Sequence, residues 1–546
     1  MESRSNRASG LTHLAPVVAL LALAIGGPAA AQSAAGDACA KLAHLQIPAS
    51  AVTLPTRGAV VETATRLDKD KAGAATRFCA VVGRINPIDP AAPAIRFQVN
   101  LPEQWNGRAL QVGGGGYNGK IPETAAWSAH SLRSGPTQVA QGYMTLGDDS
   151  GHQAANGDDA SFALNDEALA NFGALHIRKT HDVAMALAKA RYGRTPKHFY
   201  FAGGSTGGRE ALTAAQRYPD AYDGVIVNYP TADFLGLRLW GAALASAIYP
   251  DKSAGWIPPA LVSKIAADAM AACDMLDGAA DKIVSNMAAC RAGAKARVEA
   301  LRCKGAANDQ CLTAAQIDRT IAVYHEGYAT DWSAAGRKVH YQGYNSLEGV
   351  EMNLGTQAEP KEPLDSGPNA HHADRADQFM KFFVTRNPTF PLLSFDVHKP
   401  GALEPRLQKV AELVGAASPN FDRFFARGGK ILWAQGLDDV SVSPYDNLEL
   451  YQNLVGRYGQ ANADRSSRFY LVPGLGHGIG VFLLSWDNVK ALDDWVDKGA
   501  PPPAVPVAFN ANPKTPAVSR PLCVYPTWAR YVSGDPAKAA SFQCVR

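Results

Sequence analysis

Apolar runs and helical patterns alternate over the first half of the chain. Residues 94–112 form two apolar runs separated by a turn, and a longer stretch repeats its apolar residues at helical spacing between Asn165 or Asp166 as N-cap and Gly193 as its end. The predicted elements are two strands within 94–112, a helix over 165–192, a strand over 198–202, a helix over 209–218 and a strand over 222–227. This order predicts an α/β fold with a doubly wound parallel sheet and crossover helices.

The pattern changes after residue 232. The region that follows has many turns, four of the eight cysteines and several aromatic residues, and buried-strand signals return only at 430–435 and 468–473. These aromatic residues include Trp240, Trp256, Trp332, Tyr341, Phe379, Phe382, Phe383 and Phe390. We therefore predict a sheet that is interrupted by a large inserted lid. The predicted domains are 32–232 and 423–546 for the sheet and 233–422 for the lid.

Residues 1–31 have the pattern of an export signal. Arg4 and Arg7 precede an apolar run over 14–25, and the small residues 29–31 offer a cleavage site. The run is shorter than the roughly 20 residues that span a bilayer, which disfavours the alternative of a retained anchor. Cleavage leaves about 515 residues, whereas a single core stops growing at roughly 250 to 300, so a second domain is expected.

The charge balance bears on the class of partner. The net charge is +3, and the lysines and arginines are scattered rather than gathered in the basic patch that nucleic acid requires. The hydrophobic share of 47% is typical of a globular enzyme. We expect small-molecule partners, with no nucleic acid and no membrane.

Eight cysteines follow the signal segment, an even number that predicts disulfides in an oxidising compartment. Cysteines close in sequence pair at the lowest cost in chain entropy. The pairs favoured in this way are Cys273 with Cys290, Cys303 with Cys311, Cys523 with Cys544 and, from what remains, Cys39 with Cys79. The sequence alone leaves this connectivity open. A zinc cluster is the alternative, but no C-x-x-C or H-x-x-x-H spacing accompanies the cysteines.

The strongest chemical signal is a G-x-S-x-G motif centred on Ser205. It lies between a predicted buried strand and a predicted helix, as a nucleophile elbow does. The sharp turn of an elbow lifts the serine hydroxyl above the sheet and requires small residues on both sides. The helix N-terminus behind it favours developing negative charge. A glycine-rich turn without function is the alternative, and the flanking elements favour Ser205 as a nucleophile.

A serine nucleophile needs a histidine base and an acid that orients the histidine. His477 follows the predicted late strand and is the last of the thirteen histidines. The acid is expected after the strand that ends at Gln435, where Asp438 and Asp439 are adjacent. We favour Asp439, because the residues after it match the usual acid loop, and keep Asp438 as the alternative. The order Ser, Asp, His is that of α/β-hydrolases.

Acyl transfer also needs N–H donors for the oxyanion of the tetrahedral intermediate. One is expected from Thr206, directly after the nucleophile, and the other from an upstream glycine-rich loop. The loop from Gly113 to Gly116 fits this role, and Gly115 and Gly116 are the candidate donors. A phosphate-binding loop is the alternative, but no Gly-Lys-Ser/Thr follows.

The predicted lid has a cluster of three aspartates, Asp274, Asp277 and Asp281, around Gly278. Carboxylates around a glycine turn can surround a calcium ion, with backbone carbonyls completing the coordination. The spacing is not that of an EF-hand. An acidic surface turn is the alternative.

Together these segments resemble the tannase and feruloyl esterase family, which has the α/β-hydrolase fold. The most specific parts are the elbow followed by Gly-Gly-Arg-Glu and the Cys-Asp-x-x-Asp-Gly-x-x-Asp loop. The matching stretches are 113–119, 149–152, 200–211, 216–219, 222–224, 274–283, 436–444 and 476–477. The resemblance therefore covers most of the chain after the signal segment.

The resemblance implies a ligand and a substrate class. The lid loop is expected to bind a structural calcium ion through the side chains of Asp274, Asp277 and Asp281 and the backbone carbonyls of Ala279 and Ile283. The expected substrates are esters of aromatic acids: galloyl esters, hydroxycinnamoyl esters and, in one branch, a terephthalate monoester.

One feature of the family is absent from this chain. Family members have a cysteine just before the nucleophile and another just after the histidine, joined by a disulfide, where this chain has Gly204 and Gly478. The four cysteine pairs favoured above agree with the family's remaining bridges.

We predict a periplasmic or secreted serine carboxylic ester hydrolase that acts on esters of aromatic acids through an acyl-enzyme, without an organic cofactor. Three alternatives stay open. They are a hydrolase of a terephthalate monoester, an acyltransferase on the same fold, and a non-catalytic binding protein.

Overall fold

A computed structural model describes residues 38–128 and 130–546 of the chain. The predicted export signal, 1–31, lies outside these residues. Within them, no helix combines the length and the apolar character needed to cross a membrane.

Ten strands form one mixed sheet, in the order β1-β2-β3-β4-β6-β5-β7-β8-β11-β12. The strands are β1 Gln46–Ile47, β2 Ala59–Lys69, β3 Ala75–Ile85, β4 Ile95–Pro102, β5 Arg108–Val112, β6 Met144–Asp148, β7 His198–Gly204, β8 Gly224–Asn228, β9 Gly327–Ala334, β10 Arg337–Gln342, β11 Lys430–Gly436, β12 Ser467–Val472, β13 Leu484–Ser485, β14 Val507–Asn510, β15 Ser519–Pro521, β16 Trp528–Tyr531 and β17 Phe542–Val545. The five neighbouring pairs from β6 to β12 are parallel, which confirms the predicted doubly wound part.

The other half of the sheet is antiparallel, from β1 through β4 to β6. The short connections between β2, β3 and β4 cause this arrangement, because a parallel pair needs a crossover of a dozen or more residues. The sheet is therefore parallel only where the predicted site residues lie.

The chain leaves the sheet after β8 and returns at β11. The proposed lid, 233–422, occupies this interval, with several helices and the β9–β10 hairpin. The described α-helices are Asp166–Ala170, His176–Tyr192, Thr206–Arg217, Phe234–Ile248, Pro250–Ser253, Pro259–Cys273, Met287–Ala292, Ala294–Ala300, Ala322–Glu326, His371–Gln378, Glu404–Val414, Asp422–Ala426, Pro444–Tyr458, Gln460–Ser466 and Asn488–Lys498.

The aromatic residues of the lid belong to its apolar core. Four of them are buried and four are partly buried against the same cluster. The buried ones are Trp240, Tyr341, Phe379 and Phe383, and the partly buried ones are Trp256, Trp332, Phe382 and Phe390. The cluster also includes Tyr117 and Phe172 from the sheet part, so the lid and the sheet share one core.

Two helices differ from the sequence prediction. The predicted helix 209–218 begins three residues earlier, at Thr206. The chain reverses at Ser205, so the residues after it are already helical. The predicted helix 165–192 contains a π-helical segment, Asn171–Leu175. Its ends are as predicted: the Asn165 side chain accepts a hydrogen bond from the third residue after it, and Gly193 ends it with φ 72°.

Four disulfides link the described cysteines, and each joins residues close in sequence. The bonds are Cys39–Cys79, Cys273–Cys290, Cys303–Cys311 and Cys523–Cys544, the pairs favoured by chain entropy.

Candidate active site

Ser205 lies at the sharp turn between β7 and the helix Thr206–Arg217. Its φ of 59° and ψ of −124° are unusual for a residue with a side chain, and such strain costs about 1 to 3 kcal/mol. A β-carbon at Gly203 would lie 2.3 Å from the backbone of Gly207, and one at Gly207 would lie 2.8 Å from the carbonyl oxygen of Gly114. The two motif glycines therefore let strand, helix and glycine-rich loop pack closely around Ser205.

His477 and Asp439 form a hydrogen-bonded pair. Nδ1 of His477 lies 2.9 Å from Oδ2 of Asp439, whose side chain is buried. The other oxygen of Asp439 accepts the backbone N–H groups of Ser441 and Val442 at 2.7 and 2.9 Å. Asp438 instead accepts the N–H of Gly474 at 3.2 Å. The structure therefore pairs His477 with Asp439 rather than with the alternative.

Ser205 and the His477–Asp439 pair lie at the same edge of the sheet, because β7, β8, β11 and β12 are parallel neighbours. Among the described residues no hydrogen bond joins Ser205 to His477. Such bonds are often long in ligand-free enzymes and shorten when substrate binds. Tyr229 adjoins His477 and the residue before Ser205: the ring of His477 is centred 4.7 Å from its ring, and a β-carbon at Gly204 would lie 2.7 Å from it.

The predicted oxyanion loop packs against the first turn of the nucleophile helix. The N–H of Gly207 donates to the carbonyl of Gly114 at 2.9 Å, and the Thr206 hydroxyl donates to the carbonyl of Gly116 at 2.5 Å. The amides of Gly113 and Gly114 are also bonded. Within the described chain, the N–H groups of Gly115 and Gly116 have no protein acceptor. These amides are available to a ligand, as an oxyanion donor must be.

A buried ionic network lies beneath this loop, and sequence reasoning missed it. Glu210 accepts the N–H of Gly114 at 3.0 Å and the amide of Asn118 at 2.6 Å. His176 lies between Glu210, at 3.5 Å, and Asp148, at 2.6 Å. Burial opposes protonation of His176, but the two carboxylates outweigh it and raise its pKa to about 10. A cationic histidine thus holds the carboxylate that anchors the oxyanion loop.

The lid contacts the site at two loops. The hydroxyl of Tyr117, directly after the oxyanion loop, donates to the carbonyl of Arg375 at 2.8 Å. Nε2 of His372 lies 2.8 Å from the carbonyl oxygen of Val440, next to Asp439. The helix His371–Gln378 therefore supports both the oxyanion loop and the acid loop.

The three aspartates of the predicted calcium loop serve as acceptors for nearby backbone. Asp274 accepts the amides of Asp281 and Lys282, and Asp277 accepts those of Ala279 and Ser285. Asp281 forms an ion pair with Arg520 and accepts the amide of Ile283. The described residues contain no group of three or more His, Cys, Asp or Glu side chains arranged to hold a metal ion. Calcium binding by this loop stays a prediction.

The mixed sheet, the elbow serine, the histidine–aspartate pair and the glycine-rich loop together define an α/β-hydrolase. A model of the family described as tannase and feruloyl esterase matches residues 79–545. The chain therefore belongs to the tannase and feruloyl esterase family, which confirms the resemblance drawn from its motifs, and it is a carboxylic ester hydrolase.

Named relatives and solved structures agree with this placement. An uncharacterised esterase of Agrobacterium fabrum is 50% identical, over 95% of this chain and 94% of its own. The mono(2-hydroxyethyl) terephthalate hydrolase of Piscinibacter sakaiensis is 28% identical, over 90% and 89%. The crystal structure of feruloyl esterase B from Aspergillus oryzae has a TM-score of 0.74 at 19% identity, with 94% of this chain and 100% of that chain covered. At that identity the likeness shows the fold.

Proposed function

We propose that this chain hydrolyses esters of aromatic acids with Ser205 as nucleophile, His477 as general base and Asp439 as its orienting acid. The observation that carries the proposal is the strained elbow serine beside two free loop amides, at the sheet edge where His477 is bonded to Asp439. The family membership supports the substrate class.

The proposed reaction has two halves. His477 takes the hydroxyl proton of Ser205 as the oxygen attacks the ester carbonyl, and it then protonates the departing alcohol. Water repeats the cycle on the acyl-enzyme and releases the acid. The amides of Thr206 and of Gly115 or Gly116 stabilise the oxyanion in both halves. No organic cofactor takes part.

We further propose that the protein works in the periplasm or outside the cell. The four disulfides support this location, because such bonds persist in oxidising compartments. The export pattern of residues 1–31 supports it from the sequence.

A substrate panel tests the proposed reaction. It compares methyl gallate, methyl ferulate, a terephthalate monoester and p-nitrophenyl butyrate, with wild type, Ser205→Ala and the exposed-serine control Ser418→Ala. We expect wild type and control to prefer an aromatic acid, and Ser205→Ala to lose at least about 1,000-fold in kcat at an unchanged Tm. Activity retained by Ser205→Ala would contradict the nucleophile, and cleavage of the butyrate alone would contradict the aromatic acid.

A second candidate is an ester whose acid part carries another carboxylate, as a terephthalate monoester does. Arg238 is buried and lies 5.0 Å from the ring centroid of Tyr117, next to the oxyanion loop. It has no ion pair or hydrogen bond with any described residue, and a buried cation favours an anionic partner. In the same panel, a clear preference for the monoester over methyl ferulate would select this candidate.

A further inference from the structure

Tyr229 lies against the strand that leads to Asp439, the ring of His477 and the elbow at Gly204. It follows β8, is buried, and has an unusual backbone φ of 32°. Its N–H donates to the carbonyl of Ala434 at 2.8 Å, in the strand that leads to Asp439. Its ring is centred 4.7 Å from that of His477, at an angle of 52°. The ring therefore covers part of the imidazole, while Asp439 holds its Nδ1 edge.

A buried histidine fixes the hydroxyl of Tyr229. Nδ1 of His130 lies 2.9 Å from the carbonyl oxygen of Leu484, and Nε2 lies 3.0 Å from the Tyr229 hydroxyl. Burial lowers the pKa of His130 to about 4, so the ring is neutral at neutral pH. A carbonyl only accepts, so Nδ1 carries the proton and the Tyr229 hydroxyl donates to Nε2. The tyrosine is thus tied to the segment just after His477.

The residues beside the nucleophile and the base leave room for this ring. A β-carbon at Gly204 would lie 2.7 Å from a ring carbon of Tyr229. A β-carbon at Gly478 would lie 3.1 Å from its hydroxyl oxygen. Real β-carbons essentially never come as close as the first distance, so a side chain at 204 and the Tyr229 ring exclude each other.

We propose that Tyr229 is the positioning residue for His477, wedged between Gly204 and Gly478 so that elbow and base keep a constant separation. The inference rests on the proposed function, since it assigns Tyr229 a role in the Ser205 reaction. Tyr229 touches no reacting atom in this scheme. It acts through the orientation of the imidazole, where a misplacement of about 1 Å can cost about 100-fold in rate.

A double-mutant cycle tests whether the Tyr229 ring, between Gly204 and Gly478, positions His477. Tyr229→Ala removes the ring, Gly204→Ala adds a β-carbon that displaces it, and the double variant has room for that β-carbon. We expect each single change to lower kcat by about 10- to 100-fold, with KM changed by less than about threefold. In the double variant kcat should equal that of Tyr229→Ala, because Gly204→Ala has no ring left to displace.

Two further variants separate positioning from general packing. Tyr229→Phe keeps the ring and should retain kcat within about 10-fold of wild type. Tyr192→Ala is the control: Tyr192 also stacks on an aromatic ring, that of Trp105, and donates through its hydroxyl, at 2.7 Å to Pro102. Tyr192 lies near the edge of the sheet where β7 begins, whereas Ser205 follows the end of β7 at the opposite edge. Loss of the Tyr192 ring should therefore lower Tm and leave kcat unchanged.

Two results would overturn the inference: wild-type kcat in Tyr229→Ala, or losses that multiply in the double variant. If Tyr229→Ala does not fold, Gly204→Ala decides, and wild-type kcat with unchanged Tm in that variant would overturn it. Ser205→Ala is measured alongside. Activity retained by Ser205→Ala contradicts the proposed function. If Ser205→Ala is inactive while the Tyr229 variants are fully active, only the positioning role of Tyr229 is contradicted.

Discussion

Glu210 accepts two hydrogen bonds, one on each oxygen of its carboxylate. One comes from the N–H of Gly114 in the oxyanion loop, and the other from the side-chain amide of Asn118. In Glu210→Gln, the new NH₂ group faces either the N–H of Gly114 or the protonated Nε2 of His176, which lies 3.5 Å from the other oxygen, so a favourable contact is lost and the loop shifts. We expect kcat to fall by about 10- to 100-fold with little change in KM, since the displaced amides act mainly in the transition state.

The same substitution should also reduce stability, because it leaves His176 with one carboxylate instead of two. Removing one partner of a buried ion pair costs about 3 to 5 kcal/mol. The control is Glu299→Gln, which removes an exposed carboxylate paired with Arg302. A normal kcat in Glu210→Gln would show that Glu210 does not hold the loop.

The pH dependence of this effect has a definite sign. The pKa of His176 is raised to about 10, so its ionic contacts stabilise the fold fully below the unfolded value near 6.5, and this stability is lost as the pH rises through about 10. In Glu210→Gln the folded-state pKa of His176 is lower, so the loss should be smaller and should be complete at lower pH. Tm measured from about pH 7 to 10.5 in both proteins checks this.

Sequence reasoning found the candidate residues that lie in recognisable local motifs. It did not find the buried residues that hold these candidates in place. Ser205 lies in a motif between a strand and a helix, and His477 and Asp439 follow strands. By contrast, His176 and Glu210 are 34 positions apart, and His130 and Tyr229 are 99 positions apart. No periodicity relates such pairs, because only the packed sheet brings them together.

The bounds and pairing of helices and strands also depend on contacts that are distant in sequence, and there the sequence prediction was incomplete. The helix after Ser205 begins three residues earlier than predicted, because its glycines serve close packing rather than a turn. The antiparallel strands β2 and β3 were not predicted as such. Their pairing is set by short connections and by the shared core, which become visible only in the folded chain.

The acidic loop of the lid gives a test at the scale of one element. Burial raises the pKa of Asp277 and Asp281, which shows that the loop carries poorly solvated negative charge. The family resemblance implies calcium here. We expect about 1 mM calcium to raise Tm by several degrees and a chelator to reverse the change, since a ligand that binds only the folded state stabilises it.

Two variants make the calcium test specific. Asp277→Asn should abolish the response, whereas Asp268→Asn, which alters an exposed aspartate paired with Lys264, should keep it. Magnesium is the matched ion, and its preference for strict octahedral geometry should give a smaller effect. An unchanged Tm with calcium in wild type would contradict the prediction and leave the Arg520–Asp281 ion pair as the feature that neutralises the loop.

One apolar cluster joins the lid to the sheet, and four disulfides link the described cysteines. The lid shares its apolar cluster with Tyr117 and Phe172 of the sheet part, so the two parts depend on each other for burial. The disulfides instead act within each part, over short separations. Their effect on stability is therefore expected to follow the length of chain that each one closes.

Pairwise replacement of the disulfides by alanine tests this expectation. Cys39–Cys79 closes 40 residues and Cys303–Cys311 closes 8. In the chain-entropy model the longer loop stabilises by about 1.4 kcal/mol more, through the restricted unfolded state. Burial adds to the difference, since Cys39 and Cys79 are each 2% exposed while the shorter bridge is partly exposed. Cys39→Ala/Cys79→Ala should thus lower Tm most and Cys303→Ala/Cys311→Ala least. A larger loss of Tm for the Cys273–Cys290 pair, which is fully buried but closes only 17 residues, would mean that native-state packing, rather than chain entropy, sets the contribution of these bonds.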